Sequence, residues 1–186
     1  GRTEFAILTL LFMVGGGIVA AKGLGRNPIR TMLLLVALMG LLGALFTIRD
    51  WWWLYLVGIW LYMCLIPPVE AAEQTVIQKV VPFERQGRVF GAAAAIEVSA
   101  APLTAFLIAP IAEFWIIPLM ESDRGQQDWG WLVGDGLGRG IALVFVFSGL
   151  VMVVAALLAF TTKSYRTLSK QYAIAPETPA EEPAPL

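Results

Sequence analysis

The stretch IPPVEAAEQTVIQKVVPFERQGRVFG, from Ile66 to Gly91, places polar residues directly after a long apolar run. Two prolines follow its first residue, and glutamates and glutamines then recur at spacings of three and four. Residues at these spacings share one face of a helix. The stretch therefore predicts a helix that changes from apolar to amphipathic, and the surrounding sequence decides what its polar face contacts.

The surrounding sequence is predominantly apolar. Of the 186 residues, 58% are hydrophobic and 15% are charged, whereas soluble domains carry about 25% charged residues. The charged residues are clustered, and the runs between them approach the roughly 20 residues that a helix needs to cross a bilayer. Composition predicts an all-α integral membrane protein with five transmembrane helices: Phe5–Ala21, Thr31–Ile48, Trp51–Val69, Val89–Ala112 and Ile141–Thr162.

The distribution of basic residues predicts the orientation. Nine of the 13 Lys and Arg residues flank one set of helix ends and four flank the other, and the richer side is normally cytoplasmic. We expect a multi-pass protein of the cell inner (plasma) membrane with a cytoplasmic C-terminus. Residues 1–162 then form the transmembrane domain, and residues 163–186 form a cytoplasmic, disordered tail. Between the last two helices, Glu121–Arg139 is expected to be a polar loop.

Several classes of function are excluded or disfavoured by composition. The chain has no histidine, which excludes histidine-based metal sites and Ser-His or Cys-His catalysis. Its one cysteine, Cys64, cannot form a disulfide within the chain. The net charge of −1 gives no basic field for nucleic acid. We therefore expect neither an enzyme nor a cofactor.

The polar face of the opening stretch is the first candidate site. Its residues are Glu70, Glu73, Gln74 and Gln78. Pro67 and Pro68 are expected to interrupt the third helix just before it, because proline lacks an amide donor. A polar stripe on an apolar helix faces protein or a water-filled vestibule rather than lipid. The alternative is that the stripe ends the helix near the headgroups, and this alternative is favoured for Gln78.

Glu97 is the second candidate, because it interrupts an otherwise uncharged helix. It lies nine residues after Arg88, which is roughly 13 Å along a helix and close to the membrane midplane. A carboxylate at that depth requires a proton, a partner or a hydrated cavity. We interpret Glu97 as a proton-coupling residue, with a packed, neutral, hydrogen-bonded glutamate as the alternative. On the same helix, Gly91, Ala95 and Ser99 form a small-residue ridge suited to close helix contact.

The segment VPFERQGRVFG (Val81–Gly91) resembles the cytoplasmic loop before the eleventh helix of major facilitator superfamily transporters. There the pattern is V-P-x-x-x-x-G-R-V-F-G, typical of the drug–proton antiporter group that includes macrolide efflux pumps. The residues that carry the resemblance are Pro82, Gly87, Arg88 and Gly91. The earlier segment Gly17–Arg30 resembles the family's G-x-x-x-D-R-x-x-G-R-R motif but has Ala21 where that motif has aspartate.

This resemblance implies that the five helices are helices eight to twelve of the family's fold. Helices one to seven would then come from the missing N-terminal portion or from another membrane subunit. The implied function is secondary active, proton-coupled export of a hydrophobic or amphipathic, drug-like small molecule. Glu97 would be the protonatable cavity residue, and Glu70, Glu73 and Gln74 would line the vestibule. The alternative is a non-transporting membrane scaffold or regulatory subunit of a larger complex.

Overall fold

The computed structural model describes residues 25, 27–49, 51–134 and 139–175, and every regular element within them is helical. This part of the chain confirms the all-α prediction. A π-helical turn, Ala112–Ile116, joins the third helix to the fourth without a break. The helices are α1 (Pro28–Leu45), α2 (Trp52–Val80), α3 (Phe83–Ile111), α4 (Ile117–Glu121), α5 (Asp123–Val133), α6 (Arg139–Thr161) and α7 (Lys163–Ile174).

Four helical segments are long and apolar enough to cross a bilayer. They are α1, α2, the continuous α3–α4 run from Phe83 to Glu121, and α6. Each overlaps one predicted transmembrane helix, and together they indicate a membrane protein. The remaining predicted helix, Phe5–Ala21, lies outside the described residues. The largest difference in length is in the α3–α4 run, which spans Phe83–Glu121 rather than Val89–Ala112. Helix α2 is also longer than predicted, because it continues to Val80 rather than ending at Val69.

The predicted interruption at Pro67 and Pro68 is wrong. Helix α2 continues through both prolines, and both are buried. Proline removes one amide donor and crowds the carbonyl of the preceding turn, but helices in membranes accommodate it where neighbouring groups satisfy the backbone. The polar face that begins at Glu70 is therefore continuous with the apolar part of the same helix.

The loop predicted at Glu121–Arg139 contains helix α5, so this prediction is wrong for residues 123–133. The Ser122 side chain caps the helix by accepting a hydrogen bond of 3.1 Å from the Gly125 backbone N–H, which satisfies one of the free donors of the first turn. Gly134 ends the helix with a φ of 82°, a left-handed conformation that glycine adopts without steric cost. Local capping thus explains both ends of α5.

The tail predicted to be disordered from residue 163 also requires correction. Residues 163–174 form α7, and its first turn is capped by the Thr162 hydroxyl, which accepts a hydrogen bond of 3.2 Å from the Tyr165 backbone N–H. The helix contacts α1, α2 and α6. Residues 176–186, which include the Pro- and Glu-rich end, lie outside the described residues.

Helices α1, α2 and α6 form the packed body of the molecule, which we call the bundle. Its closest approach is between α1 and α6: a Cβ atom at Gly40 would lie 2.8 Å from the carbonyl oxygen of Gly149. Helices approach this closely only where small residues face each other. Phe46, at the end of α1, packs directly against Gly58 of α2.

Helix α3 contrasts with the bundle, because none of its residues is buried within the described structure. It contacts α2 beside their connecting turn and then continues into α4, which packs on α5 and α6. The predicted ridge of Gly91, Ala95 and Ser99 is exposed, and a Cβ atom at Gly91 would meet nothing within 4 Å. None of the described helices makes the close contact expected for this ridge.

Candidate acidic cavity

The polar face of α2 and one face of α3 line a cavity of about 400 Å³, which we call the acidic cavity. Glu97 lies on α3 midway between the helix ends at Phe83 and Ile111, and it faces the same space as the glutamates of α2. The residues that line the cavity are Glu70, Glu73, Gln74, Phe90, Ala93, Ala94 and Glu97. The structure thus brings together the four cavity residues named from sequence.

The turn between the two helices explains why these faces meet. Pro82 is the N-cap of α3, so the chain reverses from Val80 to Phe83 within two residues. The Gln86 side chain closes this turn by donating hydrogen bonds of 3.0 Å to the carbonyl oxygens of Gln78 and Val81. From this common end, α2 and α3 form the two walls of the acidic cavity.

The spacing of the lining residues completes the geometry. On α3, Phe90, Ala93, Ala94 and Glu97 recur at intervals of three and four, which places them on one helical face. The small alanine side chains leave the space of the cavity open, and the larger side chains of Phe90 and Glu97 lie at the two ends of this row. Phe90, Ala93, Ala94 and Gln86 were not singled out from sequence, although their spacing from Glu97 and from the turn is readable there.

The charge of the acidic cavity is one-sided. Among the described residues, its lining has three carboxyl groups, those of Glu70, Glu73 and Glu97, and no lysine or arginine. All three side chains are exposed within the described structure. The lining therefore offers carboxylate oxygens, which accept hydrogen bonds and can contact a cation. No group of three or more His, Cys, Asp and Glu residues in the described ranges is arranged to hold a metal ion.

The segment that resembles the transporter loop motif is helical for most of its length. Gly87, Arg88 and Gly91 lie in the first turns of α3, and only Pro82 lies in the turn itself. The expectation of a loop up to Val89 is therefore corrected, because the Pro82 N-cap starts the helix early. Arg88 is exposed and is not part of the cavity lining.

A second cavity, of about 300 Å³, lies inside the bundle between α1, α2 and α6. We call it the apolar cavity. The described residues of its lining include no carboxyl or amino side chain but three methionines: Met39, Met63 and Met152. Methionine fills irregular apolar space and adapts to different neighbours. Sequence did not reveal this cavity, because it depends on how three separate helices pack.

The two cavities differ in what their side chains can do. The described lining of the apolar cavity offers apolar surface and the hydroxyl groups of Tyr62 and Ser148, whereas that of the acidic cavity includes carboxyl groups. The acidic cavity is therefore the candidate functional site. Comparison of the chain with protein-family models, with curated proteins and with solved structures finds no match.

Proposed function

We propose that the chain is part of a secondary active transporter that exports a hydrophobic or amphipathic small molecule across the cell membrane in exchange for protons. The observation that carries the proposal is the acidic cavity between two helices that are apolar enough to cross a bilayer. Ionisable residues within such helices are rare, and they mark pathways for substrates and ions. The resemblance of Val81–Gly91 to a drug–proton antiporter motif supports the same class of function.

The cluster of carboxyl groups suggests how the exchange is coupled. Glu97 holds a proton in one state, and in the other the ionised cluster attracts the positively charged end of an amphipathic substrate. Phe90 supplies an aromatic face beside the carboxyl groups, which suits a cation with an apolar body. Because a proton and a cation compete for the same carboxylates, binding of one favours release of the other.

Transport also requires a second wall around the cavity. Transporters of the resembled family bind substrate between two halves that rock against each other. Helix α3 has exposed apolar side chains along its length, which suits contact with further helices. We propose that the N-terminal half of such a transporter, or another membrane subunit, supplies them.

The proposal is tested by replacing Glu97 in the protein within its native membrane. Inverted membrane vesicles are given a pH gradient, and movement of ethidium, a fluorescent lipophilic cation, is followed with and without the gradient. The Glu97→Gln variant removes the proton site while keeping the side-chain size. We expect the gradient-dependent flux to fall to the level of vesicles that lack the protein.

Glu113→Gln is the matched control. Glu113 lies on the same continuous helical run and is exposed, but it does not line the acidic cavity. This variant is expected to retain gradient-dependent flux. If Glu97→Gln also retained that flux with unchanged pH dependence, Glu97 would have no part in the mechanism.

The exposed surface of α3 also favours a second candidate, a non-transporting scaffold or regulatory subunit. A helix with no buried residues in the described structure leaves a large surface on which another membrane protein could pack. Purification in mild detergent distinguishes the two candidates. Recovery of another membrane protein at fixed stoichiometry, with no gradient-dependent flux in vesicles that contain both proteins, would favour the scaffold.

A further inference from the structure

Helix α7 begins immediately after the last apolar helix. Helix α6 ends at Thr161, and Thr162 adopts an extended conformation with a ψ of 150°, which breaks the helical path. The next residue, Lys163, starts α7. If α6 crosses a bilayer, α7 lies at the level where the hydrocarbon ends and the lipid headgroups begin.

One face of α7 is fixed to the rest of the molecule. Tyr165, Ser169 and Tyr172 are spaced by four and three residues and therefore share that face. The Tyr165 ring lies 5.2 Å from the Phe160 ring of α6. The Asn27 side-chain amide, at the start of α1, donates a hydrogen bond of 3.3 Å to the Ser169 hydroxyl.

A third contact attaches α7 to the end of α2. The Lys79 amino group lies 4.3 Å from the centre of the Tyr172 ring, which is within the range of a cation–π interaction. The three contacts come from three different helices. Because they hold one face of α7 against the molecule, they also determine which of its residues remain on the outside.

The outward residues include a basic row. Lys163, Arg166 and Lys170 are spaced by three and four residues, and all three are exposed. The helix contains no aspartate or glutamate. Three positive charges without an acidic neighbour on their own helix form a surface that attracts anions, and the contact of Lys79 with Tyr172 adds a fourth positive charge nearby.

We propose that the basic row of α7 binds the headgroups of anionic phospholipids in the adjacent leaflet. The charges are complementary, and a basic residue near an anionic membrane surface increases binding about fivefold. Tyr165 and Tyr172 suit the same depth, because tyrosine favours the membrane–water interface. This inference depends on α6 lying in a membrane and does not depend on transport.

Hydrogen exchange of the α7 amides tests the proposal. The full chain is placed in nanodiscs of phosphatidylcholine, or of phosphatidylcholine with one quarter phosphatidylglycerol. With phosphatidylglycerol we expect exchange in residues 163–174 to slow by about fivefold or more. At roughly 1 M salt, where charges are screened beyond about 3 Å, the difference should disappear. Equal exchange in the two lipid compositions at low salt would overturn the proposal.

Two variants of the row separate charge from structure. K163Q/R166Q/K170Q should show no dependence on phosphatidylglycerol, whereas K163R/R166K/K170R, which keeps the charges, should retain it. Arg124→Gln, on the exposed surface of α5, is the control and should behave as the unmodified chain. A lipid dependence that survives the glutamine variant would overturn the proposal. So would equal slowing by inorganic polyphosphate in phosphatidylcholine nanodiscs, because that result would indicate a general polyanion site.

Discussion

The bundle of α1, α2 and α6 and the single helix α3 differ in packing although all four are apolar enough to cross a bilayer. In the bundle, glycines bring backbones into contact, and large side chains such as Phe46 are buried. On α3 no residue is buried in the described structure, and Phe106 is 84% exposed. Apolar composition therefore determines which segments suit a membrane, whereas matched small residues determine which of them pack together.

The same difference separates the two cavities. The apolar cavity is lined by all three helices of the bundle, in which α1 packs against both α2 and α6. The acidic cavity lies between α2, which belongs to the bundle, and α3, which does not. One wall of the candidate site therefore belongs to the packed bundle, and the other is a helix with no buried residue in the described structure.

The largest effect is expected from removing an aromatic ring in the bundle. Phe46 is 6% exposed, and its ring lies 5.5 Å from the Tyr55 ring. Phe46→Ala should lower the free energy of unfolding by about 3 kcal/mol, because it removes buried contacts and leaves a cavity. Phe106→Ala on α3 should change it by less than about 0.5 kcal/mol. Unfolding of the detergent-solubilised chain by dodecyl sulfate, followed by circular dichroism, measures both.

The Phe106 result is also informative when the chain is purified with a membrane partner. If α3 is covered in that assembly, Phe106→Ala should reduce recovery of the partner while leaving the stability of the isolated chain unchanged. Equal destabilisation of the isolated chain by both alanine variants would show that α3 is packed as firmly as the bundle, and the distinction between the two regions would fail.

Smaller effects are expected from replacing one glycine in each region by alanine, and the two effects should have opposite signs. A Cβ atom at Gly149 would lie 2.7 Å from the backbone nitrogen of Ala44, so Gly149→Ala forces α1 and α6 apart and should cost about 1–2 kcal/mol. Gly91→Ala on α3 meets no neighbour among the described residues, and it should raise the free energy of unfolding by up to about 1 kcal/mol through helix propensity. The same unfolding measurement compares them. A loss of stability in both variants would contradict the open environment of Gly91.

Four polar residues that line the acidic cavity could be singled out from sequence, because the information that places each of them on its helix is local. The polar residues of α2 and Glu97 of α3 each follow from helical spacing, and only the two-residue turn at Val81 and Pro82 separates the helices. Because this connection is so short, it keeps the polar faces of α2 and α3 close to each other whatever the fold of the other helices. The helices themselves followed from the need of apolar segments to satisfy their own backbone groups.

The bundle could not be predicted in the same way. The contact between Gly40 and Gly149 joins residues far apart in sequence, and many other glycines offer the same local signal. Local rules also failed at Pro67 and Pro68, where tertiary surroundings allow α2 to continue. For α5 the signal was present, since Ser122 stands where an N-cap is favoured, but the polarity of the segment outweighed it.

The smallest effect is expected in α7, and it tests whether this helix is packed like the bundle or exposed like α3. Its hydrogen bond from Asn27 to Ser169 spans most of the chain, so α7 is expected to behave as part of the bundle. Ser169→Ala removes the acceptor and should destabilise the docked helix by about 1 kcal/mol, which speeds hydrogen exchange of its amides about fivefold. Ser164→Ala, at an exposed position of the same helix, should leave exchange nearly unchanged. If the α7 amides exchanged at equal rates in the two variants, the hydrogen bond to Ser169 would not hold α7 against the bundle. The outward position of its basic row would then be unsupported.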